Sequence, residues 1–270
     1  MRRIHLTILL LPALLVLACN DQDTGRDGAA SAAQDTAARF RTVLQQYPDS
    51  LAARIALSRW LERTQGIDSA LAPIEAGLRI DSTIPVLHNR KALLHLQKND
   101  TAGAIASLIR SLQYKPEQTD VHLELGFLYA AQKNKATLEV ADFLLSQSQE
   151  PLLNSQARYM KGLYYTNTGM RKEAMAMFDE IIVNDYTFLD AYIEKGILQY
   201  NDKRFAEALK TFDRAVTVSN THAESYLWMA KCLEALGRKA EALDLYKKTV
   251  GFNASLTEAE EGVQRLEGGK

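Results

Sequence analysis

Tyr159-Met160-Lys161-Gly162-Leu163-Tyr164-Tyr165 sets a glycine inside an apolar helical run; Gly169 then signals a turn, and Glu173-Ala174 and Phe178 follow. The positions of Gly162, Ala174 and Phe178 recur outward along the chain. Ala70, Ala104, Ala174, Ala208 and Ala242 are spaced by 34 residues, or by 70 across the middle. Four residues after each stands a large apolar side chain: Ile74, Leu108, Phe178, Phe212 and Tyr246. Twelve residues before each stands a small one: Ser58, Ala92, Gly162, Gly196 and Ala230, with Gly126 continuing that series in the remaining unit. Two antiparallel helices meeting at close range account for the spacing. The small residues let the backbones approach, and the large one fills the groove beside them. Neither helix buries its apolar face alone, so stacked pairs build one continuous core.

This register resembles the tetratricopeptide repeat. The resemblance implies an all-α, right-handed superhelical solenoid of antiparallel helix pairs, about six repeats with packing helices at both ends. The units fall at Leu51–Ile84, Pro85–Gln118, Thr119–Asn154, Ser155–Phe188, Leu189–His222 and Ala223–Leu256. Before them, Phe40, Val43, Leu44 and Pro48 match the second helix of a half repeat, and residues 34–50 read as an N-terminal packing helix. After them, Thr257 to Leu266 reads as a solvating helix with Ala259, Val263 and Leu266 inward, ending in a short tail to residue 270. The third unit departs from the pattern. It is 36 residues long, with the extra length near Lys133-Asn134-Lys135, and the spacing seats Val140 in the small slot and Leu144 in the large one. A bulkier Val140 should push those two helices apart and change the pitch locally.

The chain opens with a basic Met1-Arg2-Arg3 and an apolar core from Ile4 to Leu17, short for a membrane span and placed like a secretory leader over residues 1–18. Val16-Leu17-Ala18-Cys19 resembles the bacterial lipobox, which implies that Cys19 becomes an acylated N-terminus. Several acyl chains on Cys19 would anchor the protein stably. The address implied is the cell envelope, most simply the outer membrane, on its periplasmic or outer surface. Residues 19–33 are small and polar after the cysteine and read as a flexible tether with a reach of roughly 20 Å.

Composition narrows function by exclusion. A net charge of −1 offers no electrostatic reason to bind nucleic acid, and two cysteines make no disulfide framework. Motifs for phosphate loops, paired-cysteine metal sites and nucleophile elbows are missing, so no catalytic residue, cofactor or metal is assigned. Cys232 falls mid-helix among Met229, Leu233 and Leu236 and reads as a buried structural thiol. His88 and His122 share one position in successive units and read as packing imidazoles, with a shared metal as the sharper alternative. Trp60 and Trp228 read as structural. Asp-(Ser/Thr)-X triplets at Asp35, Asp49, Asp68, Asp81 and Asp100 are similar to an O-glycosylation signal of exported proteins, and equally suit helix starts and turns.

In the family resembled, the first helix of each repeat lines a concave groove through its positions 2, 5, 9, 12 and 13. Carried over, the middle of the groove holds Asn89, Leu93, Leu96, Phe127, Tyr159, Leu163, Asn167, Ile197, Tyr200 and Asn201, apolar with a few amides, while the ends are charged. A carboxylate clamp of Lys and Asn, as in chaperone-binding members, does not fit these positions. An exposed stripe of this kind suits an amphipathic helix or an extended apolar segment; a tightly wound solenoid would instead make it core. The function expected is a membrane-anchored scaffold or adaptor that binds a protein or peptide segment in its groove and catalyses nothing. Pilotins of type IV pilus secretins and adaptors of peptidoglycan-processing enzymes are the two lipoprotein types it resembles. Small-ligand or glycan capture at the outer membrane is the alternative, resting on Tyr159 and Tyr200 as platforms.

Overall fold

The computed structural model describes residues 26–147 and 150–268, with side chains from Thr36 onward. The leader, Cys19 and the start of the tether lie outside the described residues. Every element among the described residues is a helix. After α1 (Arg26–Gln46) come six antiparallel pairs: α2 (Leu51–Gln65) with α3 (Ile67–Ile80), α4 (Pro85–Gln97) with α5 (Thr101–Tyr114), α6 (Thr119–Ala131) with α7 (Ala136–Gln147), α8 (Pro151–Thr168) with α9 (Arg171–Asn184), α10 (Leu189–Asn201) with α11 (Phe205–Val218), and α12 (Ala223–Ala235) with α13 (Lys239–Phe252). A last helix, α14 (Thr257–Gly268), covers the end. None of the described helices is long and apolar enough to cross a membrane.

The 34-residue register is the packing register. Ala70, Ala104, Ala174, Ala208 and Ala242 are fully enclosed, and the large residues one turn later, Ile74, Leu108, Phe178, Phe212 and Tyr246, are enclosed with them. The close approach at Gly162 is tight: a Cβ there would lie 2.5 Å from Phe178 Cε1. The turns inside each pair repeat as well. Gly66, Asn99, Lys133, Gly169, Lys203 and Gly237 all have positive φ, from 58° to 89°. Each turn reverses the chain through one residue of positive φ, which L side chains adopt at a cost of about 1 kcal/mol. Neighbouring pairs stack so that α6 touches α8 and α10 touches α12, whereas no two second helices pack comparably among the described residues. The first helices therefore lie on the inside of the curve.

Capping explains several helix starts. Ser50 caps α2 by accepting from the Ala53 N–H, and Asp100 caps α5, 2.9 Å from the Gly103 N–H. Asp81 accepts from the Thr83 N–H at 2.8 Å in the turn before α4. Three of the Asp-(Ser/Thr)-X triplets thus serve caps and turns.

Three details differ from the sequence reading. The helix α1 begins at Arg26, inside the segment read as flexible tether and ahead of the packing helix read at residues 34–50. Ala29-Ala30-Ser31-Ala32-Ala33 is small in composition, yet alanine is the strongest helix former, so the run extends the helix. The boundary placed between Asn154 and Ser155 falls inside α8, which starts at Pro151, where proline's fixed φ suits a first helical position. In the third unit the turn spans 132–135, one residue more than the turn at 98–100. Helix α7 therefore enters rotated and buries Thr137, Ala141 and Leu144, while Val140 is half-buried against the side of Gly126. The pair α6–α7 packs more sparsely than any other, and Met160 of α8 fills the space beside Gly126.

Candidate functional site

The inner face is built by α4, α6, α8 and α10. Leu93, Leu96, Phe127, Tyr159, Leu163, Ile197 and Tyr200 all lie there half-buried. The stripe therefore falls between the two alternatives of an exposed groove and a closed core. Because α8 sits directly beside α6, their groove side chains wedge between successive helices: Phe127 meets Tyr159 edge-on at 6.2 Å, and Tyr159 in turn lies 5.3 Å from Phe188 and 6.0 Å from Phe178. Tyr200 packs edge-on against Phe205 and Trp228. The resulting wall is part core and part surface. Leu152 at the start of α8, Val183 near the end of α9 and Tyr186 in the turn after it are more exposed than any of these.

The amides divide. Asn89 donates to Gln118 Oε1 at 3.0 Å, and Asn167 donates to the Ala130 carbonyl at 3.0 Å, stitching α8 to the end of α6. Asn201 is exposed at the end of α10. Two of the three amides therefore brace the wall, and Asn201 alone of them stands open.

Sequence reasoning missed the acidic members of this face. Position 2 of the first helices holds Asp120, Asp190 and Glu224, and position 6 holds Glu124 and Glu194. Burial and the neighbouring Asp120 push the Glu124 carboxyl above the usual range. Asp190 keeps its tip in solvent, yet the concave wall removes much of the water around it. That desolvation and Glu224 raise its pKa, with His222 opposing. Tyr159 is shifted up by burial first, then by Glu194, Asp190 and Glu224. The signal was present in the position-2 series; reading for hydrophobic pattern passed over it.

The ends are unlike. At the first unit, Arg59 and Arg63 are exposed beside half-buried Trp60 in a concavity that includes Phe40 of α1. Glu62, a charged groove position by spacing, is taken by Arg90, which also donates to Ser58 Oγ at 3.1 Å. At the other end α14 consumes the charges: Arg265 grips Glu234 with two bonds of 2.8 and 2.7 Å, Tyr246 donates to the same carboxylate at 2.8 Å, and Lys231 pairs with Glu258.

Groups with chemical potential are held in structural roles. Cys232 is a free, fully enclosed thiol whose pKa burial pushes up to about 12. His88 and His122 each engage a backbone carbonyl, of Ser82 at 2.8 Å and Pro116 at 2.7 Å, and face Tyr114 and Phe143. Trp228 stacks on Phe212 at 5.9 Å. Among the described residues no cluster of His, Cys, Asp and Glu has the makings of a metal site.

Two family models described as tetratricopeptide repeat match, one over residues 155–182 and one over 200–255. The fold is similar to that of a tetratricopeptide repeat protein from Parabacteroides merdae, at TM-score 0.64 and 17% identity, over 89% of this chain and 94% of that one. It is also similar to PilW, described as a widely conserved type IV pilus biogenesis factor, at TM-score 0.61 and 19% identity, over 79% of this chain and 96% of that one. Pseudomonas aeruginosa PilF aligns at TM-score 0.53 and 16% identity, over 88% of this chain and all of its own. No curated protein matches the chain in sequence. The chain is thus an all-α solenoid in which tetratricopeptide repeats are recognised.

Proposed function

We propose that the protein is a non-catalytic scaffold of the cell envelope, held at a membrane by acyl chains on Cys19 and binding a protein segment along the inner face of its solenoid. The observation that carries this reading is the half-buried wall from Leu93 through Phe127 and Leu163 to Tyr200, which spans four consecutive first helices. A surface that is already partly desolvated and held rigid by core contacts loses little freedom on binding. The lipid anchor supplies proximity to partners on the same membrane. Glycan capture is less well supported: Tyr159 is packed against Phe127, Phe178 and Phe188, and Tyr200 against Phe205 and Trp228, so neither ring presents an open platform.

The test is crosslinking and recovery from native membranes with wild type and a Phe127→Arg, Leu163→Arg double variant shown by circular dichroism to stay folded. One partner recovered by wild type and lost by the variant supports the groove; identical recoveries refute it. Secretin assembly and recruitment of peptidoglycan-processing enzymes, the two narrower forms of the proposal, are told apart by which partner is recovered. Anchoring is tested separately, by fatty-acid labelling that Cys19→Ser should abolish.

A further inference from the structure

On α4, α8 and α10 the lysines turn away from the inner face that carries the carboxylates. Lys91, Lys161 and Lys195 turn to the second helices, where they pair with Glu75, Asp142 and Asp179. Of the inner-face carboxylates, Asp120, Glu124 and Asp190 make no ion pair among the described residues, and Glu224 accepts a 3.3 Å bond from the Trp228 indole. Asp120 lies close enough to raise the pKa of Glu124, and Glu224 that of Asp190, and the group flanks the aromatic wall at Tyr159. Like charges gathered on a concave, partly desolvated surface carry a cost that an incoming cation removes. Arg59 and Arg63, exposed at the far end of the same face, repel that cation and favour a position toward α6–α12.

We propose that the segment bound by the inner face is cationic and aliphatic, with Lys or Arg side chains set against Asp120, Asp190 and Glu224 and aliphatic ones laid on Phe127, Leu163 and Ile197. This rests on the groove reading above and deepens it. Alternation of carboxylates with apolar side chains across successive helices fits a peptide whose basic and aliphatic residues are interspersed. Electrostatic complementarity then supplies selectivity and rapid encounter, and apolar burial supplies most of the affinity.

The experiment is fluorescence anisotropy of two short labelled peptides of equal leucine content, one carrying lysines and the other glutamates, titrated with the full chain in a neutral detergent. Wild type is expected to bind the Leu/Lys peptide in a salt-sensitive manner and to reject the Leu/Glu peptide. The isosteric pair Asp190→Asn, Glu224→Gln, which preserves the indole bond, should weaken Leu/Lys binding about tenfold. A control pair on the second helices, Glu139→Gln and Glu173→Gln, should leave it unchanged. Equal binding of both peptides, abolished by Phe127→Arg with Leu163→Arg, would overturn the charge inference and leave the groove reading standing. Leu/Lys binding that ignores the groove carboxylates, or that the control pair weakens equally, overturns it as adhesion to surface charge, and absence of binding by either peptide overturns it too. Failure of the groove itself is read independently, from the membrane recovery.

Discussion

Gly162→Ala and Gly251→Ala are the same chemical change on two helices, and the structure assigns them opposite signs. At Gly162 the new Cβ would stand 2.5, 2.9 and 3.1 Å from three atoms of the Phe178 ring. That ring is fully enclosed and sits 6.0 Å from Tyr159, so it has no free direction in which to swing. Overpacking of this kind costs about 1–3 kcal/mol, and the rigid surroundings argue for the upper half. Alanine's better helix propensity returns about 1 kcal/mol, leaving a net loss of roughly 1–2 kcal/mol. At Gly251, exposed near the end of α13, nothing lies within 4 Å of the new Cβ. Only the propensity gain remains there, reduced near a helix end to about 0.5 kcal/mol. Urea denaturation followed by circular dichroism reads both changes. With a slope on the order of 3 kcal/mol/M, Gly162→Ala should lower the midpoint by about 0.5 M, while Gly251→Ala raises it slightly. Adding Phe178→Leu to Gly162→Ala should recover part of the loss, because a smaller, flexible side chain gives way. Two changes of the same sign, or a double variant worse than the sum of its parts, would refute the close-approach account of the repeat.

Lys203, exposed and left-handed at φ 61°, should stabilise the protein by about 0.5–1 kcal/mol when replaced by glycine, since relief of the αL strain exceeds glycine's entropy cost; an unchanged denaturation midpoint would contradict this. Glu234 is held below the usual carboxylate range, first by Arg265 and also by Tyr246. A depressed folded pKa contributes stability above the unfolded value that is lost as pH falls through the folded one, so α14 should fray on acidification. Hydrogen exchange at Ala259 to Leu266 should therefore accelerate at low pH, and Glu234→Gln should remove that dependence. Asp190 has the opposite sign: its raised folded pKa makes the ionised form a burden, present at neutral pH and relieved as pH falls through the folded value. Asp190→Asn should accordingly raise the midpoint at neutral pH and lose that advantage in acid. Cys232 should resist thiol reagents in the native protein and react on unfolding, as its enclosure and raised pKa require.

The helix pairs were legible in sequence because their decisive contacts are local: Gly162 meets Phe178 and Gly196 meets Phe212 within one unit, at fixed spacing. Small and large side chains at those spacings admit one close pairing, and repetition makes a weak motif strong. The expectation of packing roles for Cys232, His88 and His122 likewise rested on their place in a helical pattern. One third-unit detail escaped because the turn at 132–135 is a residue longer: counted spacing puts Leu144 correctly in the core but seats Val140 where the fold buries Ala141.

The inner face was decided by tertiary structure. Spacing placed Leu93, Phe127, Tyr159 and Ile197 on the first helices, but how far each is covered depends on the neighbouring unit, which draws α8 beside α6 and leaves the stripe half-buried. Charge behaves in the same way. The sequence holds Glu234 and Asp190 alike as acids on first helices, yet α14 neutralises one through Arg265, and no ion pair reaches the other. Composition and periodicity suffice to set which surfaces must be covered, because burial of apolar area is additive and non-directional. Which charges remain free to meet a partner follows from pairwise distances across helices that only the folded solenoid brings together.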